Sequence, residues 1–241
     1  MNYAILLAGG TGTRISSDIP KQYVRAGAHM MITGSAKALL ECDRVDGICI
    51  VSGSDRRDEI MRDIESAGLD TAGIIAYADP GANRQLSALN GMQAIIGKAC
   101  DGKEDGFPGK DDTVLIHDAA RPFLTGALLN RIYDALEGHD GVMPALPMKD
   151  TVYYSDDGTR ISGLIDRKKV YAGQAPELFV FRKYYEANMA LMPDRILEVN
   201  GASEPAIMAG MDIRVIPGDE GNFKITTDAD LERYTEILGR D

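Results

Sequence analysis

Cysteine is scarce in this 241-residue chain: Cys42, Cys49 and Cys100 are odd in number and lack metal-ligand spacing. That argues against a disulfide framework or a cysteine zinc site, and the thiols read as reduced, mostly buried groups of a cytoplasmic protein. Three histidines, His29, His117 and His139, lie too far apart to suggest a metal cluster. Cations are in deficit as well: 26 Lys and Arg against 37 Asp and Glu leave a formal net charge of -11. A general nucleic-acid binder needs clustered cations, so that class is set aside. No apolar run approaches the length of a membrane span, and Met1-Asn2-Tyr3 carries none of the positive charge of a cleavable leader. No membrane partner is expected. Two common phosphate loops are missing too. There is no Gly-x-x-x-x-Gly-Lys-Ser/Thr run, and Gly10-Thr11-Gly12-Thr13-Arg14-Ile15 places Ile15 where a dinucleotide fingerprint needs its third glycine. The apolar segment Gly47 to Val51 ends in Ser52-Gly53, without the acid that would hold a ribose.

What the chain does contain is an alternation of short apolar runs and amphipathic segments. Strands are predicted at 3–8, 47–52, 73–77, 113–117, 141–146 and 212–216. Helices are predicted at 32–41, 56–67, 83–97, 126–137, 182–191 and 228–238. In the second of these, Ile60, Met61, Ile64 and Ala67 share one face, leaving Asp58, Glu59, Arg62, Asp63 and Glu65 to solvent. Strands rich in Ile and Val between such helices imply an α/β fold, a mostly parallel sheet with helices on both faces. The polar, aperiodic run 98–112 reads as a solvated surface loop.

Ligands in such sheets sit at the carboxyl ends of strands, where the glycine loop and the residues after His117 fall, and two further segments join them as candidates. The run Leu7-Ala8-Gly9-Gly10-Thr11-Gly12-Thr13-Arg14, followed by Lys21, offers backbone N–H groups and two cations to a phosphate. A bare tight turn is the alternative. Asp79 to Ser87 opens a helix whose N-terminus could meet a nucleotide, although Asn83 as an N-cap accounts for it equally. The strand at Thr113 ends in His117-Asp118-Ala119-Ala120-Arg121-Pro122, where Asp118 could hold a metal ion or a substrate hydroxyl, or merely cap a turn. Lys224, between apolar neighbours, precedes a helix that Thr227 and Asp230 should close with a capping box.

Together with Pro20-Lys21-Gln22-Tyr23, Asp150-Thr151, Asp166-Arg167 and Lys224-Ile225-Thr226-Thr227, these motifs stand in an order that resembles the cytidylyltransferases acting on polyol phosphates. That family includes the 2-C-methyl-D-erythritol 4-phosphate and ribitol 5-phosphate enzymes. The resemblance runs from residue 3 to about 238 and implies a Rossmann-like sheet of nucleotidyltransferase type in one domain, 1–241. It implies CTP and a polyol phosphate as substrates, Mg²⁺ as companion ion, and a homodimer. By the same resemblance, Arg14, Lys21 and Lys224 are catalytic, and Leu7, Ala8, Gly9, Gly10, Thr11, Gly12 and Thr13 cradle the triphosphate. Gly81, Arg84 and Ser87 recognise the nucleoside; Asp118, Arg121, Thr151 and Arg167 bind the acceptor; Asp118 is also the candidate metal ligand.

Residues 150–172 contain an expected hairpin that turns at Asp157-Gly158. The resemblance makes it a protruding β-arm that completes a partner's site, while a hairpin folded over its own sheet is the alternative. The chain also departs from the family pattern. Leu7-Ala8-Gly9-Gly10 is the ribitol-type start, Ala82 replaces a common acid, and Gly173-Gln174-Ala175-Pro176-Glu177 replaces a usual Gln-Thr-Pro-Gln. Asn200-Gly201-Ala202-Ser203 differs too. A regulator that binds nucleotide without turnover, and a nicotinamide oxidoreductase weakened by Ile15, are the competing functions.

Overall fold

Successive strand residues point to opposite faces, and that period of two sets how the chain is layered. The computed structural model describes residues 1–10, 19–99 and 107–239. Its strands are β1 (Asn2–Leu7), β2 (Arg25–Ala26), β3 (His29–Met30), β4 (Gly47–Val51), β5 (Ile74–Ala78), β6 (Thr113–Asp118), β7 (Gly141–Pro147), β8 (Val152–Tyr154), β9 (Gly163–Ile165), β10 (Tyr171–Gly173), β11 (Glu177–Val180) and β12 (Ile213–Pro217). The helices are α1 (Met31–Leu40), α2 (Arg57–Ser66), α3 (Arg84–Ala99), α4 (Gly126–Asp134), α5 (Phe181–Met189), α6 (Ser203–Met208) and α7 (Asp228–Leu238).

Eight strands form one sheet in the order β10-β7-β11-β6-β1-β4-β5, with β12 against the opposite edge of β7. The β6-β1-β4-β5 run is parallel throughout. Ala4 and Leu6 join Ile48, Ile50 and Leu115 beneath Ile32, Leu39, Ile60 and Leu128 of α1, α2 and α4. Tyr3 and Ile5 take the other face with Val51 and Ile116, under Met92, Phe181 and Tyr184 of α3 and α5. Each such side chain contributes about 1.5–3 kcal/mol when fully buried, which is why neither face can be given up. The chain leaves β1 toward β5 and then returns to the other side of β1 at β6. That reversal is the topological switch point, and the register Leu7↔Asp118 puts two of the singled-out segments side by side there.

The predicted elements are present, with ends moved by at most three residues. Three features differ from the expectations. First, β11 lies antiparallel between β6 and β7, deep in the sheet, and was not anticipated. Four residues after a proline, beginning with Glu177, are too short a run to show a period. Second, residues 98–112 are not simply a solvated loop. Lys98 belongs to α3, residues 100–106 lie outside the described part, and Phe107 packs edge-on to Tyr185 and Phe181 at 5.2 and 6.0 Å. Asp112 is buried and binds the amino group of Met1. Third, Tyr171–Gly173 at the end of the expected arm is strand β10 of the main sheet.

The hairpin itself forms as expected. Strands β8 and β9 pair with each other in the register Tyr153↔Leu164. Asp157 accepts from the N–H groups of Thr159 and Arg160 at 2.8 and 2.9 Å, and Gly158 has φ +72°, a conformation that favours glycine. Tyr153 and Leu164 are 53% and 65% exposed, so these apolar side chains stand in solvent instead of covering the sheet.

Candidate active site

The first loop is pinned from behind. Gln22, buried, donates from Nε2 to the carbonyls of Ala8 and Gly10 at 2.6 and 2.7 Å, and the Tyr23 hydroxyl donates to Ala8 at 2.7 Å. Three hydrogen bonds to two carbonyls fix the direction in which β1 leaves the sheet. Gly9 is required by contact: a Cβ there would fall 2.3 Å from Pro80 Cβ, so the loop meets the Pro80-Gly81 turn without a side chain between them. Gly10, by contrast, has open space around it. Thr11, Gly12, Thr13 and Arg14, expected to continue the phosphate cradle, lie outside the described residues.

The turn before α3 is self-braced. Gly81 N–H donates to Ser87 Oγ at 3.0 Å, and that hydroxyl donates to the Asn83 carbonyl at 2.8 Å. Asn83 caps the helix by accepting from Leu86 N–H at 2.8 Å, as expected, and its amide also donates to Ile196 at 2.7 Å. The capping account of this segment is therefore satisfied, and Gly81, Ala82, Asn83, Arg84 and Ser87 still line a cleft of about 370 Å³.

Asp118 is the electrostatic centre of that cleft. Its Oδ1 accepts from Arg84 Nε and Nη2 at 3.0 and 2.9 Å, and its Oδ2 pairs with Lys224 Nζ at 2.8 Å. Burial alone would raise the carboxyl, but Arg84 and Lys224 more than reverse this and hold it far below the ordinary carboxylate range. Lys21 lines the same cleft, with Leu7, Gly9 and Gly10 on its floor. Among the described residues, three cations and one anion thus converge in a chain whose overall charge is strongly negative.

The Lys224 loop is held at both ends. Ile225 N–H donates to the Ala120 carbonyl at 2.9 Å, and the fully buried Asn222 donates from Nδ2 to Ala175 at 2.8 Å. Arg121 Nη1 donates to the Asn222 carbonyl at 2.7 Å, so its guanidinium braces this loop and is not among the residues lining the cleft. Ala175 sits buried behind the same brace. Thr151 and Arg167 are exposed, and Arg167 donates to the Lys149 carbonyl at 2.7 Å, away from this chain's own cleft. Gln22 and Asn222 are structural partners of the site to which sequence reasoning gave no role of their own. Lys21-Gln22 adjacency was the one signal available for the first of them.

As a metal ligand, Asp118 does not fit. Both carboxylate oxygens are already paired with cations, and no group of three or more acidic, histidine or cysteine side chains suited to a metal ion occurs among the described residues. Mg²⁺ favours carboxylates and phosphate oxygens, so the cleft offers it little apart from a bound triphosphate.

His117, fully buried at the end of β6, bonds the Arg121 carbonyl through Nε2 at 3.2 Å. Burial lowers its imidazole from 6.5 to about 4, against the opposing pull of Asp118. The unfolded chain therefore binds a proton that the folded chain refuses between those values, and stability falls as pH drops through that window. The expected loss is about 3 kcal/mol from pH 6.5 to pH 4, and none from this group at higher pH. Denaturant titration across this range should show the slope, and His117→Gln should flatten it; an unaltered slope in that variant would refute the assignment.

In this acidic α/β protein the cations gather at the carboxyl-end switch point, where such folds take their ligands. The chain belongs to the IspD family, 2-C-methyl-D-erythritol 4-phosphate cytidylyltransferase, whose model it matches over residues 2–240. It is 34% identical over 238 residues to the bifunctional enzyme IspD/IspF of Granulibacter bethesdensis, covering 98% of this chain and 56% of that protein. The first curated relatives are such bifunctional proteins, and the chain spans about half their length. The 2-C-methyl-D-erythritol 4-phosphate cytidylyltransferase of Rubrobacter xylanophilus is 33% identical over 241 residues, with 98% of this chain and 94% of that protein covered. Among solved structures, 4-diphosphocytidyl-2C-methyl-D-erythritol synthase of Anaerococcus prevotii superposes with a TM-score of 0.79 at 25% identity, over 99% and 96% of the two chains.

Proposed function

We propose that this protein transfers CMP from CTP to 2-C-methyl-D-erythritol 4-phosphate, releasing pyrophosphate in isoprenoid precursor synthesis. The observation that carries this reading is the convergence of Lys21, Arg84 and Lys224 on one cleft beside the first glycine loop, in a chain of this family. An oxygen of the acceptor phosphate attacks the α-phosphorus of CTP in line. A new P–O bond forms as the α–β bridging bond breaks, and the electron pair leaves with pyrophosphate. Both reactants are anions, so the work of the site is to bring them together and offset their charge. Lys21 acts on the triphosphate, a role the family resemblance gives to Arg14 as well; Lys224 lies between acceptor phosphate and reacting centre, and Gly81, Arg84 and Ser87 receive the nucleoside. Asp118 holds Arg84 and Lys224 in place before substrate arrives. Mg²⁺ is proposed to come with CTP, carried by its phosphate oxygens.

The protein is further proposed to work in the cytoplasm as a homodimer, with residues 150–172 contributing Thr151 and Arg167 to a partner's acceptor site. The exposed apolar hairpin supports that reading, because a lone hairpin needs something to lean on. Arg167→Ala is then expected to raise the acceptor KM much more than the CTP KM. Mixed dimers of Arg167→Ala and Lys21→Ala chains should recover activity, and no recovery in proven mixed dimers would confine the arm to its own subunit.

The central test is pyrophosphate release with CTP, Mg²⁺ and a panel of polyol phosphates. Release with methylerythritol phosphate is the expected result. Release with ribitol phosphate alone would move the acceptor to that alternative, in keeping with Leu7-Ala8-Gly9-Gly10. CTP binding without release with any acceptor would indicate a nucleotide-binding regulator.

A further inference from the structure

Behind the cleft lies a second buried acid, Glu177, that none of the roles above uses. In the antiparallel pair of β11 and β6, Glu177 stands opposite Ile116. Opposed residues share a face, and Asp118 lies two residues further along the same strand, so both carboxylates emerge on the α3 side. Diagonal neighbours in such a pair have Cα atoms roughly 7–8 Å apart, a gap that one guanidinium can bridge. Arg84 sits on this face at the first turn of α3. Its Nε and Nη2 are committed to Asp118, whereas its Nη1 is buried without a hydrogen-bond partner. Glu177 Oε2 is likewise buried without one, while Ser203 bonds the same carboxyl group. Arg84 and Glu177 feel each other's charge but make no direct ion pair, so the two complementary orphan atoms are a cost unless a water bridges them. Burial raises the Glu177 carboxyl above its ordinary range, and the charge of Arg84 opposes that rise.

We infer that Glu177 is a positioning residue that holds the Nη1 edge of Arg84 through a bridging water, so that the guanidinium keeps its place when an incoming phosphate draws Lys224 from Asp118. Asp118 anchors one side of Arg84 and Glu177 the other. The chain has an acid where the resembling family usually has glutamine, so this second anchor is a carboxyl group here. The nucleotide side of the inference rests on the reading of the cleft as a CTP site.

The sign of the effect separates positioning from a plain field effect. Removing a buried negative charge near the cleft would by itself tighten anion binding. Loss of positioning weakens it. Glu177→Gln retains one acceptor, and Glu177→Met retains none. CTP titrated into each folded variant should show Kd raised about tenfold in Glu177→Met, the scale of one charge-assisted hydrogen bond, and less in Glu177→Gln. Turnover at saturating CTP should change less than twofold. A Kd that is unchanged or lower in Glu177→Gln overturns the inference, as does a fall in kcat with Kd intact. A measurement without nucleotide decides the matter should the wild-type protein not bind CTP, an outcome that would count against the proposed function alone. The Arg84 Nη1–H resonances should be sharp and protected from exchange in the wild type, and lose that protection in Glu177→Gln; equal protection in both proteins refutes the anchor.

Discussion

Replacing Lys21 with alanine is expected to lower kcat by about 100-fold or more, the scale of removing one pre-organised donor from a developing oxyanion. Lys21 lines the same cleft as Gly10, Arg84 and Lys224, directly before the Gln22 that pins the first loop. Lys21 is brought there by the short helical turn Lys21–Tyr23, whose Tyr23 and Gln22 are both buried. The backbone that carries it is therefore already ordered before substrate arrives, which is what makes a cation effective in the transition state. Initial rates of pyrophosphate release at saturating CTP and acceptor give kcat directly. A variant retaining near-normal kcat would remove Lys21 from the chemistry, and a change confined to the CTP KM would make it a binding group only.

Asp118→Asn is expected to cost about 2–3 kcal/mol of stability at neutral pH. A fully buried ion pair that loses one partner costs about 3–5 kcal/mol; Lys224 keeps a third of its side chain exposed, so solvent recovers part of the loss. Arg84, three-quarters covered, bears most of it. The pH dependence has a definite sign. The folded carboxyl lies below its unfolded value, so its stabilisation is complete above about pH 4 and fades as pH falls from there toward the folded value. Chemical denaturation of wild type and variant should differ by a constant amount from pH 5 to 8 and converge in stronger acid. Equal stability at pH 7 would show that Arg84 and Lys224 find other partners when the charge is lost. Activity should fall as well, because the same substitution releases both cations that Asp118 holds in the cleft.

Local rules account for much of what could be read ahead of the structure. The capping box of α7 is present as expected: Thr227 accepts from Asp230 N–H at 3.2 Å, and Asp230 accepts from Thr227 N–H at 2.9 Å. The boundaries 228–238 coincide with the helix for that reason, since a cap is written within four consecutive residues. The hairpin turn at Asp157-Gly158 was legible on the same grounds. Strand β11 was not, because its place depends on β6 and β7 accepting it from either side. Arg121 shows the same limit. Its position three residues after Asp118 suggested a ligand contact, and its Nη1 bond to the distant Asn222 carbonyl is a brace that no local spacing announces. The glycines divide similarly: Gly9 is demanded by Pro80, a contact that no spacing within the first loop announces.

The sequence by itself determined the α/β layering, the strand-end location of the candidate residues and the deficit of cations elsewhere, because periodicity, turn chemistry and composition are properties of neighbouring residues. Which charges face one another was decided by the tertiary structure. Asp118 meets Arg84 from the start of α3 and Lys224 from the loop before α7 because parallel pairing of β1 with β6 stacks their carboxyl ends at one switch point. An ion pair acquires its strength from burial and distance, and both come into being when the sheet closes around it.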